Sequence, residues 1–316
     1  MQRPEIRITS SADAATIVAY LLGYQPVNCL TVLAVADGTV AFAGAQALDG
    51  MPDPRAAAGR LATVVYNNGF TQVVLVGYGT HQSMRDPLQQ AIDLFTSIGV
   101  TVLDAMRVDD GRLWHVGCGD PDCERNGVAF DPQTTIIAAE ATFAGVELAP
   151  DRETLEARLD PITGEPRQRM RAAVARILQS TVLPIDHRRA MRLIDQLTQQ
   201  ALAGPLSDDD AAQLLVLLAF AELRNYAVHL VHGSDEDVHA WRDLTRRAGT
   251  GTLACTPATF LALAALQGGD GTTAAIAAGR ARAADPDDDF AHLLERALQA
   301  GISPQALREV LHKPQH

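Results

Sequence analysis

His115, Cys118 and Cys123 stand in the spacing H-x2-C-x4-C within HVGCGDPDCERNG, residues 115–127. Imidazole and thiolate are ligands that zinc prefers, and a structural zinc site wants four of them. The segment supplies three, with Asp120, Asp122 or Asp131 as a fourth. The same two thiols, with four residues between them, suit a redox pair or a disulfide. A third reading needs no chemistry, because Gly and Asp-Pro also make a polar turn with ordinary thiols. The residues alone leave all three open. Zinc is the metal this segment could take, and no other cofactor is expected.

A second cluster lies in VVLVGYGTHQSMRDP, residues 73–87. Gly77 and Gly79 follow an apolar strand, and Asp104 is expected to end the next one, as in a dinucleotide fingerprint. Two features oppose that reading. Gln82 occupies the third glycine position, and the expected helix start is Asp86-Pro87, seven residues past Gly79. A pyrophosphate needs the free N–H groups of a helix start directly after the turn. The stretch therefore reads as a tight strand-to-helix connection, with a small-molecule site left open. The loop Tyr78–Asp86 sits at the carboxyl end of a buried strand, where open α/β sheets bind ligands. His81, Arg85 and Asp86 are types that bind an anion or move a proton.

Other chemistry is closed off. The only lysine, Lys313, stands near the C-terminus, so no phosphate loop carries its lysine and a Schiff-base role is disfavoured. G-x-S-x-G, H-E-x-x-H, C-x-x-C and calcium-loop patterns are absent. Cys29 and Cys255 sit in apolar runs and read as core residues. His229 and His232 share a helix face with no carboxylate or cysteine at matching spacing, which is weak evidence of a site.

The elements that must position these residues follow from local signals. Glu5–Thr9 alternates as a strand, and Ser11 is expected to cap a helix that stops at Gly23. Asp37-Gly38 and Asp110-Gly111 are hairpin turns between apolar strands. Asp53-Pro54 opens a helix, and Thr71–Gly77 reads as a strand buried on both faces. From Asp131 onward, helical periodicity takes over. Ser207 with three acids behind it is a strong helix start, and one helix is expected from there through Val231. Pro161–Gln168 reads as a loop, and Ser303–Lys313 as a last helix. No period repeats as a solenoid requires.

The expected fold is an α/β N-terminal domain, a mixed sheet covered by helices with hairpins, followed by an all-α C-terminal region. The domains are 1–145 and 146–316. The chain has 316 residues, 47% hydrophobic and 20% charged, which marks it as globular. A net charge of −12 argues against nucleic acid as a partner. The basic run Arg167–Arg176 has acidic flanks and reads as a solvated helix face. No signal peptide or membrane span is read, so a cytoplasmic protein with reduced thiols is expected.

SSADAATIVAYLLGYQPVNCLTVLAV, DDGRLWHVGCGDPDCERNGVAFD, RNYAV and the segment from LALAALQGG to LLERALQAGISP together resemble the actinobacterial domain of unknown function 4192 family. The likeness covers nearly the whole chain. That family often has two adjacent cysteines where this chain has Cys123-Glu124, and often Ser at Cys29. The resemblance implies a cytoplasmic protein of actinobacterial or actinophage source, and it carries no catalytic residues onto this chain. The favoured function is a binding or regulatory module for a small molecule or protein. The alternative is a hydrolase or transferase, with His81, Arg85, Asp86 and the Asp120–Cys123 turn lining its site. Oligomeric state is left open.

Overall fold

The structure, a computed structural model, describes residues 9–51, 53–143, 145–181 and 185–302. The strand expected over Glu5–Thr9 (Thr9 apart) and the helix expected over Ser303–Lys313 lie outside these residues. The chain divides into two compact units. One runs to Leu155 and takes in Gln299–Gly301; the other runs from Glu156 to Leu298.

The first unit is built on six strands: β1 (Cys29–Ala36), β2 (Thr39–Ala47), β3 (Gln72–Tyr78), β4 (Thr101–Asp109), β5 (Arg112–His115) and β6 (Val128–Ala129). Their order is β2-β1-β3-β4-β5-β6. Only β3 and β4 run parallel; every other pair is antiparallel. Both expected hairpin turns are present, with Asp37 and Gly38 at φ 52° and 77°, and Asp110 and Gly111 at 43° and 68°. Positive φ at both central residues matches the right-handed twist of the strands they join.

Helix α1 (Ser11–Leu22) lies on one face, where the Tyr78 hydroxyl donates to the Ala15 carbonyl at 2.6 Å. Helices α2 (Pro54–Asn67) and α3 (His81–Ser97) cover the other, burying Leu61, Val65, Met84, Leu88 and Phe95 against Leu30, Val32, Val73 and Leu75. The cap of α1 is Ser10 rather than Ser11. Its side chain accepts the Asp13 N–H, and Gly23 at φ 77° ends the helix as expected.

The larger difference is α3. It starts at His81, with Thr80 as cap accepting the Ser83 N–H, and not at Asp86. Asp86-Pro87 looks like a start signal, yet Pro87 sits inside the helix and is buried. The Thr80 cap and the burial of Met84 hold the preceding turn in helical form. Strand β4 likewise continues past Asp104 to Asp109.

The second unit contains α7 (Gly164–Ser180), α8 (His187–Ala203), α9 (Asp208–Leu218), α10 (Ala221–Ala227), α11 (Asp235–Ala248), α12 (Cys255–Gln267), α13 (Gly271–Ala284) and α14 (Asp289–Gln299, the last residue passing to the first unit). In the first unit α3 is followed by two short helices, α4 (Pro121–Asn126) and α5 (Ile136–Phe143), and the short α6 (Arg152–Ala157) straddles the division of the chain. Every residue of α12 is buried, the position of a helix apolar all round. Trp241 of α11 meets Phe260 of α12 edge to face at 4.9 Å between centroids. The single helix expected from Ser207 is two, bent by 108° at Ala219-Phe220. There the N–H groups of Ala219 and Phe220 bond three residues back, closing α9 in a tight turn. The loop expected over Pro161–Gln168 shortens because α7 already starts at Gly164. Among the described residues, no single helix is long and apolar enough to cross a membrane.

Candidate functional site

The segment 115–127 is an insertion within a hairpin. Strand β5 enters it, and Gly127 leads out into β6, which pairs back on Arg112 and Leu113. Between them Asp120 caps a single-turn helix, α4 (Pro121–Asn126), by accepting the Asp122 N–H at 2.9 Å. The residue pattern leaves a metal site, a thiol pair and a polar turn open here, and none of the three includes a helix. The signal for α4 was present: Asp-Pro at a cap and first position, with Gly closing the end.

Consecutive residues Trp114 and His115 leave β5 on opposite faces of the sheet, as strand geometry requires. His115 Nδ1 meets Asp104 Oδ1 at 3.3 Å, and the other carboxylate oxygen accepts the Ser11 hydroxyl at 2.7 Å. Asp104 reaches this face because β4 carries a bulge. Val73 pairs with Val102 and Val74 with Asp104, so Leu103 is skipped and the side-chain alternation flips. The order Ser11–Asp104–His115 places the carboxylate in the middle. The serine is bonded to a carboxylate, so it has no general base of the kind a nucleophile needs.

Trp114 faces the α2–α3 side. Arg107, directly across from it in β4, lays its guanidinium over the ring at 3.6 Å from the centroid. Arg107 also donates to the Gly79 carbonyl at 3.2 Å and pairs with Asp109 at 3.3 Å. Burial pulls the arginine's pKa below its usual value, and the Asp109 charge partly offsets that. Glycines bracket this row. A β-carbon on Gly127 would stand 2.6 Å from the Trp114 ring, and one on Gly77, opposite Arg107, would stand 2.9 Å from Leu88. A cross-strand row Gly77–Arg107–Trp114–Gly127 thus links the thiol turn to the turn that opens α3.

The two thiols are neighbours in the turn, close enough for Cys118 to act on the ionisation of Cys123; Cys118 is exposed and Cys123 is half-buried. The His115 backbone N–H pulls the Cys123 pKa down. Burial, the Cys118 thiol and Asp120 outweigh it and leave Cys123 above its ordinary value. The His115 ring does not join the thiols, since its Nδ1 is turned to Asp104. Among the described residues, the one place where three potential ligand atoms lie within 4.8 Å of one another is Cys255, Asp285 and Asp288. That set has a structural explanation. Asp288 pairs with Arg224 at 2.5 Å and accepts the Ala291 N–H at the start of α14, while Asp285 accepts the Asp287 N–H.

His81, Arg85 and Asp86 all lie in the first two turns of α3, exposed to solvent. His81 and Arg85 share one face at i, i+4. They do not meet the Cys118 turn. Val116 donates to Ala105 on the antiparallel β4, and Asp104 is level with Val74. Residues beyond Val116 therefore stand towards the start of β3, whereas His81 follows its finish. The two parts of the expected enzyme site thus leave the sheet in opposite directions.

Fold and site define a two-unit protein: a mixed α/β sheet carrying a thiol-bearing turn, joined to a helical unit. A family model described as domain of unknown function (DUF4192) matches residues 12–305, and the chain belongs to that family. No curated protein and no solved structure gives a significant match.

Proposed function

We propose that the protein is a cytoplasmic binding module whose α/β unit takes a small phosphate- or carboxylate-bearing anion at the carboxyl end of β3. The observation that supports it is the start of α3 at His81, two residues after Gly79. The parallel pair β3 and β4 with α3 between them forms a β-α-β unit, whose ligand position is this end. The N–H groups of a first helical turn have no intrahelical acceptor and favour negative charge. His81 and Arg85 carry an imidazole and a guanidinium on the first two turns of α3. Gly79, at φ 148°, holds a backbone conformation that a side chain would disfavour and keeps the turn tight. The missing third glycine argues for a small anion rather than a dinucleotide.

Binding is preferred to catalysis because the reactive side chains are tied into separate structural pairs. Ser11 and His115 bond Asp104, and the His81 and Cys118 ends stand apart. The test is a titration of the full chain with inorganic phosphate, pyrophosphate and citrate, followed by thermal unfolding. A ligand that binds only the folded state raises stability by about 2.7 kcal/mol at a hundred times its Kd. The double variant His81→Ala/Arg85→Ala changes only exposed side chains. The reading requires at least one anion to raise the unfolding temperature, and that gain to shrink in the variant. No gain, or an equal gain in both proteins, refutes it.

A further inference from the structure

The thiol turn is built in a way that anion binding at β3 does not use. Cys118 and Cys123 share one short insertion closed at both ends by the β5–β6 pair, one exposed and one half-buried, and each is near enough to act on the other. Gly117 and Gly119 flank Cys118 at φ 72° and 69°, so glycine conformations on both sides set the direction of that thiol. Cys123 is anchored in α4, and the ends of the insertion are fixed by the pairing of β5 with β6 and by the Arg112 bond to the Asn126 carbonyl. The ligand set for a metal is short: the His115 ring is bonded to Asp104, and Asp120 caps α4.

We propose that Cys118 and Cys123 are a modification site, forming a reversible internal disulfide by exchange with a low-molecular-weight disulfide, RSSR. Exposed Cys118 gives up its proton and its thiolate attacks RSSR, forming Cys118–S–S–R and releasing one RS⁻, which is protonated. The Cys123 thiolate, its proton lost to solvent, attacks the Cys118 sulfur and expels the second RS⁻. In sum, two thiols and RSSR give one protein disulfide and two RSH. The two electrons reside in the released thiols, and reduced thiol reverses both steps. The closed ring tightens α4 against Gly127, whose backbone rests on the Trp114 ring, so oxidation reaches the Trp114–Arg107 stack.

The experiment equilibrates the full-length protein across mixtures of reduced and oxidised glutathione. Samples are quenched in acid, denatured, labelled with a maleimide and digested with trypsin. The peptide Leu113–Arg125 carries both cysteines. The expected result is that this peptide loses both labels together and two hydrogens in mass, with a single midpoint, and recovers both on reduction. Tryptophan emission shifts over the same range in the native protein but not in Cys118→Ser. In Cys123→Ser, Cys118 holds glutathione as a stable mixed disulfide, because no second thiol displaces it. Stable glutathione on both cysteines of the unmodified chain, or no reaction at either, overturns the proposal. Stoichiometric zinc retained through gel filtration and released by the maleimide overturns it in favour of a metal site.

Discussion

The guanidinium of Arg107 lies 3.6 Å from the centre of the Trp114 ring, directly across the β4–β5 pair. It is the middle of a row that begins at Gly77, beneath α3, and ends at Gly127, where the thiol insertion rejoins the sheet. The same guanidinium donates to the Gly79 carbonyl, at the turn into α3. One side chain thus bonds the turn that opens α3 and stacks on the residue that precedes the thiol insertion.

Arg107→Ala removes the ring contact and the bond to Gly79, and leaves Asp109 without its cation. A cation–π contact out of water and a charged hydrogen bond together suggest a loss of about 2–3 kcal/mol. Arg107→Lys keeps the charge but not the planar stack, so it recovers less than half of that. Urea unfolding followed by tryptophan emission measures both. An alanine variant as stable as the parent would show that the stack is incidental.

Gly127 and Gly119 separate steric from conformational cost. Both have positive φ, but only Gly127 faces the Trp114 ring. Gly119→Ala costs about 1 kcal/mol for the backbone conformation alone. Gly127→Ala adds displacement of the ring in a region of φ and ψ reserved for glycine, for a total above about 2 kcal/mol. Equal destabilisation of the two variants contradicts the row described above.

Thiol reactivity follows burial. Burial, with Asp49 nearby, pushes the Cys29 thiol up to about 12, and burial with Asp288 nearby pushes Cys255 up to about 11. At about pH 8, near the ordinary thiol pKa of about 8.5, both remain protonated and shielded. Iodoacetamide on the native protein is expected to modify Cys118 fastest, then Cys123, with Cys29 and Cys255 reacting only after unfolding. Mass spectrometry of a time course checks the order.

Asp13 makes the first unit sensitive to acid. Burial raises its pKa, but the Thr9 and Ser10 hydrogen bonds outweigh burial and leave it below its ordinary 3.8. A carboxylate with a depressed folded pKa stabilises above the unfolded value, and that contribution fades as pH falls through the folded one. Asp13→Asn is therefore expected to lower stability near neutral pH and to flatten the loss below about pH 3.8. Ser10→Ala, which removes the cap, costs about 1 kcal/mol. Unfolding temperatures measured from neutral to acid pH show whether the slope changes.

In the second unit, Arg224 is the counter-charge of buried Asp288, at 2.5 Å. Arg224→Met leaves that carboxylate beside the Cys255 thiol, with the α14 cap as its remaining support. Removing one partner of a buried pair costs about 3 kcal/mol or more. Arg224→Met/Asp288→Asn is expected to regain part of the loss, because no uncompensated charge remains. Urea unfolding monitored by circular dichroism gives both values.

Much of the architecture was legible because it depends on neighbouring residues. Asp-Gly pairs set both hairpin turns, Gly23 ended α1, Asp53-Pro54 opened α2, and Ser207 capped α9. Two of the errors share one cause, competition between two local signals. Asp86-Pro87 and Thr80 both look like helix starts; burial of Met84 against the sheet chose Thr80. Ser10 and Ser11 both look like caps; Ser11 is drawn instead to Asp104, 93 residues away. The unbroken apolar run after Ser207 gave no hint of a bend, which forms where α9 ends in a tight turn.

The candidate site divides the same way. Residue types and spacing alone determined that this chain has one turn with two nearby thiols, one glycine turn after a buried strand, and no lysine suited to phosphate-loop chemistry. They also determined the α/β half and the helical half, since periodicity and turn chemistry act over a few residues. Only the tertiary structure decided direction and distance. The bulge at Leu103 turned Asp104 towards His115 and so took the imidazole from the thiols. The antiparallel run of β5 carries the chain into the Cys118 turn in the direction opposite to that in which β3 runs into His81. Cross-strand register placed Arg107 on Trp114. Each depends on pairing between segments far apart in the chain, and a strand shifted by one residue would reverse every one of those faces.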